Sequence, residues 1–272
     1  MPETADLALL VEATSAAAAA ALAVFEAGGV RRWDKSPGNP VSTADLAADA
    51  QLKAALLGGR PDYGWLSEET VDDSNRLACR RVWVVDPIDG TRDFIRGRSG
   101  WAVSAALVED GVPVLAALAA PARGQLFVAA AGRGATLNWQ PIAVSGRHDL
   151  AGARLPVDAA TLAARYWPTP WAAEAVETPN SLALRLAAVA HGVADGFFHG
   201  RTVHEWDVAA AALIVAEAGG TVGDRDGAPL GFNRADPDVP GLVAATPALF
   251  APLQARLTAG IAAYASMRAR MT

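Results

Sequence analysis

Apolar positions along this chain fall into blocks whose spacing switches between helical and alternating periods. Glu3 to Glu26 is an alanine-rich stretch with helical character, ended by Gly28-Gly29, since glycine takes the left-handed conformation that closes helices. Its apolar core is interrupted by acids and lacks a basic leading segment, so it reads as neither a signal peptide nor a membrane span. Lys35-Ser36-Pro37-Gly38-Asn39-Pro40 reads as a loop from its turn residues. Ser42 or Thr43 caps a second helix, Ala44 to Leu57, stopped by Gly58-Gly59, and Asp45 and Asp49 lie four apart on one of its faces. Tyr63 to Leu66 is a short apolar run delivering Ser67-Glu68-Glu69-Thr70. Asp72 to Arg80 is a polar connection in which Cys79 reads as a small buried hydrophobe.

Arg81 to Val85 is a β-branched and aromatic run that suits a buried strand. The strand is expected to end at Asp86, because Pro87 has no N–H to give a ladder, and Asp89-Gly90 then makes a turn. Trp101 to Leu107, Val112 to Ala119 and Gln125 to Ala130 read as antiparallel strands joined at Glu109-Asp110-Gly111 and Pro121-Ala122-Arg123-Gly124. Patterning weakens from Ser145 to Ala153. The expected boundary lies there, between an N-terminal half (1–148) that holds most of the acids and a C-terminal α/β half (149–272), the two forming one compact unit. In the second half Ser181 to His191 has helical spacing, Val193 to Phe198 is a strand, and Trp206-Asp207 opens an apolar helix closed by Gly219-Gly220. Asp224-Arg225-Asp226-Gly227 reads as a hairpin turn, Gly241 to Ala245 as a buried strand, and Pro247 as the start of a final helix.

Composition narrows the function classes. The 272 residues are 52% hydrophobic and 19% charged, which is a globular balance rather than a disordered one. The net charge of −6 argues against a nucleic-acid polymer as partner, though not against a small phosphorylated one, because bound metal inverts a local field. A single cysteine and four scattered histidines provide neither an internal disulfide nor a zinc spacing. The expected location is cytoplasmic, with no membrane association.

The chemistry lies in carboxylates placed at the ends of apolar elements: Asp45, Glu68-Glu69, Asp86, Asp89 and Asp207. Singly, each has an ordinary reading as a solvated helix face, a loop or an N-cap. Together Asp86 and Asp89, three apart at the end of a strand, repel each other unless a cation intervenes, and hard divalent ions take oxygen ligands of this kind. A calcium loop of the EF-hand type is excluded, since the twelfth position from Asp86 is Gly97.

Ser67-Glu68-Glu69-Thr70, Asp86-Pro87-Ile88-Asp89-Gly90-Thr91 and Trp206-Asp207-Val208-Ala209-Ala210, followed by Glu217-Ala218-Gly219-Gly220, resemble the inositol monophosphatase superfamily over nearly the whole chain. The resemblance implies an α/β fold, a layered αβαβα sandwich, and a Mg²⁺-dependent phosphomonoesterase of the lithium-inhibited kind, with two or three ions and Mn²⁺ as a substitute. Carried over by position, Glu68, Asp86, the Ile88 carbonyl, Asp89 and Asp207 are the metal ligands. Thr91 and Asp45 orient the attacking water together with Glu68, the Gly90 and Thr91 amides hold the phosphate, and Glu69 supports the ligands from behind. The Arg92-Asp93-Phe94-Ile95 run and Glu205-Trp206-Asp207 are similar to bacterial CysQ-type 3′(2′),5′-bisphosphate nucleotidases. Adenosine 3′,5′-bisphosphate is therefore the expected substrate, with Arg92, Asn180, Ser181 and Arg201 as substrate contacts; Asn180 stands where many members have glycine. Inositol 1-phosphate and histidinol phosphate are the alternatives, and a non-catalytic binder of a phosphorylated ligand is a third. A homodimer is the family-like assembly.

Overall fold

The computed structural model describes residues 2–36 and 39–270. α1 (Pro2–Ala27) leads into a hairpin of β1 (Arg32–Ser36) and β2 (Asn39–Ser42), then α2 (Thr43–Gly59), β3 (Gly64–Ser67), β4 (Arg81–Asp89) and the short α3 (Thr91–Ile95). β5 (Ala102–Glu109), β6 (Val112–Ala120), β7 (Gln125–Ala130), β8 (Ala135–Leu137) and β9 (Gln140–Ile142) follow as a meander. Then come β10 (Arg154–Leu155), α4 (Ala159–Leu162), β11 (Glu174–Ala175), α5 (Leu182–Ala190), β12 (Gly196–His199), β13 (Val203–His204) and α6 (Glu205–Glu217). β14 (Thr221–Gly223), β15 (Asp238–Val239), β16 (Leu242–Ala245) and α7 (Pro247–Ala269) complete the chain.

Side-chain alternation turns these elements into layers. The large sheet runs β3-β4-β5-β6-β7-β8-β9, with β3 parallel to β4 and the other pairs antiparallel. Trp83, Val85, Ala105 and Leu107 meet Leu10 and Ala17 of α1 and Leu52 and Leu56 of α2. The residues between them, Val82, Val84 and Ala106, belong instead to the cluster with Leu186 and Val189 of α5 and Ile214 of α6. A strand covered on both sides reads as a continuous apolar run, as Arg81 to Val85 does. Residues 208–215 of α6 are all buried, as suits a helix apolar all round, because the small sheet β12-β16-β14 packs on the far side of α5 and α6. Leu249, Leu253 and Leu257 of α7 cover its outer face. The order is helix, sheet, helix, sheet, helix, the αβαβα sandwich expected.

α1 has the length and composition of a membrane span over Thr4–Ala27. Leu10, Ala13, Ala17 and Ala18 pack it on the large sheet, so it serves here as a core helix. Its side chain Asp6, 0% exposed, knots it to the sheet: Arg60 Nε donates at 2.5 Å, Tyr63 Oη at 2.9 Å and Arg81 at 3.1 Å.

Three expectations need correction. β4 does not stop at Asp86. Asp86 pairs with Ser104 and Asp89 with Ala102, so Pro87 and Ile88 together oppose Val103 in a bulge, where proline's missing N–H costs no ladder bond. The segment read as a loop from Lys35 to Pro40 contributes strand residues on both sides, while Pro37 and Gly38 lie outside the described residues. Asp224 closes a turn by accepting from Asp226 N and Ala228 N, but it makes no hairpin, since β14 pairs with β16.

Removing Asp6 strands two guanidinium groups and a phenol against a buried gap. Asp6→Ala is expected to lower the free energy of unfolding by about 3 kcal/mol in urea melts. A loss below about 1 kcal/mol would reduce the knot to an ordinary surface pair.

Candidate active site

Two helices begin with the same device. Asp45 is the third residue of α2; its Oδ2 accepts from Ser42 N at 2.9 Å and Ser42 Oγ at 2.6 Å. Asp207 is the third residue of α6 and reaches back to His204 N at 2.7 Å. An acid at this place satisfies the free N–H before a helix and complements its dipole, which fixes both carboxylates at helix starts close enough to the end of β4 for each to act on Asp86.

The bulge in β4 supplies the other groups. Asp86 Oδ1 accepts from Ile88 N at 3.0 Å, and Thr91 Oγ1 lies 2.9 Å from Asp45 Oδ1 and 3.0 Å from the Ile88 carbonyl. With one proton, that hydroxyl donates to only one of the two at a time. Gly90 turns the chain at φ 95°; a Cβ there would stand 2.6 Å from the Gly100 carbonyl and 2.8 Å from Ser181 N, so no other residue fits. Asp89 accepts from Ser181 Oγ at 2.6 Å, Ala183 N at 2.7 Å and Leu182 N at 3.1 Å, the free donors at the start of α5.

Glu68, Asp86, Asp89 and Asp207 open into one cleft of about 440 Å³ with the Ile88, Gly90 and Thr91 backbone. Arg92, Asn180, Arg185, His199 and Arg201 line the same space.

A profile of the inositol monophosphatase family matches residues 5–267. The chain belongs to the inositol monophosphatase family. It is 40% identical over 202 residues to the Nus factor SuhB of Xylella fastidiosa (strain Temecula1 / ATCC 700964), covering 71% of this chain and 72% of the relative. It is 36% identical over 215 residues to a 3′-phosphoadenosine 5′-phosphate phosphatase of Mycobacterium leprae (strain TN), covering 73% and 75%. The inositol monophosphatase structure from Anabaena (Nostoc) sp. PCC 7120 superimposes with a TM-score of 0.76 at 27% identity, covering 95% of this chain and 97% of that one. As a member of the family, the protein is a phosphoric monoester hydrolase.

Burial sets the electrostatics of this phosphatase site. Burial first, then Glu68, Asp89, Asp207 and Asp45, push Asp86 well above the carboxylate range. Asp89 is raised from 3.8 to about 7 by burial and Asp207, against the bonds from α5. Burial also raises Asp45, Glu68 and Glu69, the last to about 7. Among the described residues no three acid, histidine or cysteine side chains are drawn in tightly enough to hold one ion as they stand; Asp89 is turned to α5 and Asp207 to His204 N. The donor set still fits a hard divalent cation, since every ligating atom is oxygen and the acids hold one another's protons for want of positive charge.

Sequence reasoning missed Lys35. Its Nζ lies 2.9 Å from Glu68 Oε1 and 2.7 Å from Glu69 Oε1, so part of the acid set has a cationic neighbour after all. The available signal was that Lys35 is one of only two lysines in an arginine-rich chain. Arg185 was missed as well: four residues after Ser181, it is the single charged residue of α5. His199 lines the cleft too, held down to about 4 by burial and then by Arg201 and Arg185. Asn180 and Arg201 lie on the cleft as expected, and Asn180 N is anchored on Asp93 Oδ2 at 3.0 Å. Ser181 does not: fully buried, its hydroxyl donates to Asp89 and accepts from Leu184 N, which makes it the cap of α5 rather than a substrate contact. Glu205 also turns away, 0% exposed and bonded to Asn233 N and Arg234 N, so that part of the nucleotidase-like motif holds a loop.

Acids raised in the fold bind protons that the unfolded chain has released. Metal-free protein should therefore lose stability as pH rises from the ordinary 3.8 toward about 7, with His199 working in the opposite sense. Protons compete with Mg²⁺ for the same oxygens, so the rise in Tm on adding Mg²⁺ is expected to be larger near about pH 8 than near about pH 5. An equal or smaller rise at the higher pH would show that these carboxylates do not hold the ion.

Proposed function

We propose that this phosphatase is a Mg²⁺-dependent hydrolase of a nucleotide bearing a second phosphate, with adenosine 3′,5′-bisphosphate as the best-fitting substrate and AMP as product. The observation that carries this reading is the composition of the cleft, where five carboxylates, Glu68, Asp86, Asp89, Asp158 and Asp207, share one space with three arginines, of which Arg92 and Arg201 are the two not held by the Pro179 carbonyl. Carboxylates suit metal and the scissile phosphate, and guanidinium forks suit a further anion rather than a neutral polyol. The Mycobacterium leprae relative supports it by its named activity. Inositol 1-phosphate is the second reading, favoured by the named activity of the Anabaena structure.

In this reading Glu68, Asp86, the Ile88 carbonyl, Asp89 and Asp207 hold the metal. An ion held by these oxygens would supply charge against the phosphate and acidify a bound water. Thr91 Oγ1 donates its proton to Asp45 Oδ1 and so presents a lone pair to the attacking water. Asp45, kept protonatable by burial, is the base at the end of that relay, and Glu68 orients the water from the other side. Gly90 and Thr91 amides donate to the phosphate oxygens. A P–O bond forms to water, whose proton passes through Thr91 to Asp45; the ester P–O bond breaks, and the leaving alkoxide takes a proton from solvent water. Charge and positioning supply the catalysis, so no covalent nucleophile is needed.

Parallel turnover of adenosine 3′,5′-bisphosphate, inositol 1-phosphate and histidinol phosphate with Mg²⁺ tests the substrate. The highest kcat/KM is expected for the nucleotide, and a higher value for inositol 1-phosphate would sink that choice while leaving the phosphatase. Thr91→Ala is expected to lower kcat by roughly 10²–10⁴ with little change in KM. A kcat within threefold of wild type would remove Thr91 from the relay.

A further inference from the structure

Beside the cleft lies a second depression of about 500 Å³, lined by Arg32, Trp33 and Asp34 of β1 and by Arg92 and Arg96 of the α3 turn. The two hollows share Pro40 and Arg92, so they adjoin across those two residues. Two of its arginines contrast with those that hold the scaffold together. Arg60, Arg76, Arg81, Arg123 and Arg154 all pair with acids, whereas among the described residues neither Arg32 nor Arg96 lies within ion-pair distance of a carboxylate. Arg92 and Arg96 are four apart, on one side of the turn. Against the three guanidinium groups stands one acid, Asp34, in a protein whose net charge is −6. Trp33 is 40% exposed, an indole in water on the same hollow as Arg32 and Arg96.

This combination matches a phosphate and a planar ring. Guanidinium forks bind phosphate oxygens two at a time, and an exposed indole offers a stacking face to a base. Of the two other arginines on the cleft, Arg185 is less available. Arg185 Nε is bonded to the Pro179 carbonyl at 2.7 Å and its guanidinium lies over Phe197, leaving Arg201 alone on that side.

We propose that this hollow is the seat of the substrate's remote phosphate, held by Arg32 and Arg96 with Arg92 bridging to the reacting phosphate, and that Trp33 stacks on the base. The assignment rests on the nucleotide reading above and says which end of the cleft that substrate extends from. Binding energy gained on the remote group would be used to orient the reacting one.

The test compares kcat/KM for adenosine 3′,5′-bisphosphate and adenosine 3′-monophosphate in wild type, Arg32→Gln/Arg96→Gln and Arg96→Gln, at one Mg²⁺ concentration and with thermal melts as a fold check. Wild type is expected to prefer the bisphosphate, and the double variant to lose that preference by roughly a hundredfold, the single variant by about tenfold. Trp33→Ala should raise KM for both nucleotides and Trp33→Phe should restore it, which a merely structural role for the indole would not give. A preference that survives in the double variant overturns the seat and leaves the nucleotide reading standing. A wild-type preference near unity also overturns it, because no remote contact exists. Turnover of inositol 1-phosphate without turnover of either nucleotide overturns the nucleotide reading, and the seat falls with it.

Discussion

The three hydrogen bonds that Asp89 accepts from the start of α5 join the end of β4 to a helix of the middle layer. They carry the end of the large sheet onto the first turn of a middle-layer helix, and Gly90 lets the backbones touch: Ser181 N donates to the Gly100 carbonyl at 2.9 Å. A helix start that loses these acceptors has unpaired N–H groups. Asp89 thus helps to hold α5, and α5 in turn places Asn180 and Arg185 on the cleft. A carboxylate on the cleft is thus also a joint of the scaffold.

That arrangement has an electrostatic cost. Asp86 and Asp89 are 1% and 6% exposed, and neither bonds to a cationic side chain among the described residues. Burial and neighbouring carboxylates raise both, an arrangement that adds no stability at neutral pH and is common at functional sites. Stability comes from elsewhere, from helices α1 and α2 on one side of the sheet and the alanine-lined α6 on the other. Alanine is well suited to that middle layer, since small side chains let α6 approach both sheets closely.

Much of this was legible in the sequence because it is local. An apolar run covered on two sides, an acid three residues into a helix, and a glycine after Asp89 each declare themselves within a few positions. What escaped depends on contacts between distant segments. Ser181 reads as a polar residue at a helix start, and nothing nearby reveals that Asp89, 92 positions away, accepts its hydrogen bond. Glu205 stands next to a site residue in the chain yet faces Asn233 and Arg234. Pro87 forbids a regular ladder, but a bulge removes the need for the N–H it lacks, so the strand outlasts its apparent terminator. Lys35 lies 33 positions from Glu68, and only the β1–β2 hairpin brings them together.

The choice of cation at each acid follows a physical division. Arg76 grips Asp72 with two N–H groups at 2.6 and 2.8 Å, and Arg154 grips Asp195 at 3.1 and 2.8 Å. Such forks are directional and give two bonds per pair, and these hold loops in place. At Glu68 and Glu69 the cation is a lysine, a point charge on a flexible stem that makes one contact to each carboxylate. Burial works against the Lys35 ammonium, and the two glutamates outweigh it to raise its pKa. A chain that uses arginine at nearly every basic position has thus placed the more loosely held cation at the mouth of its acid cluster. The scaffold pairs are built to stay closed, and the pair at the site is built with the weaker grip.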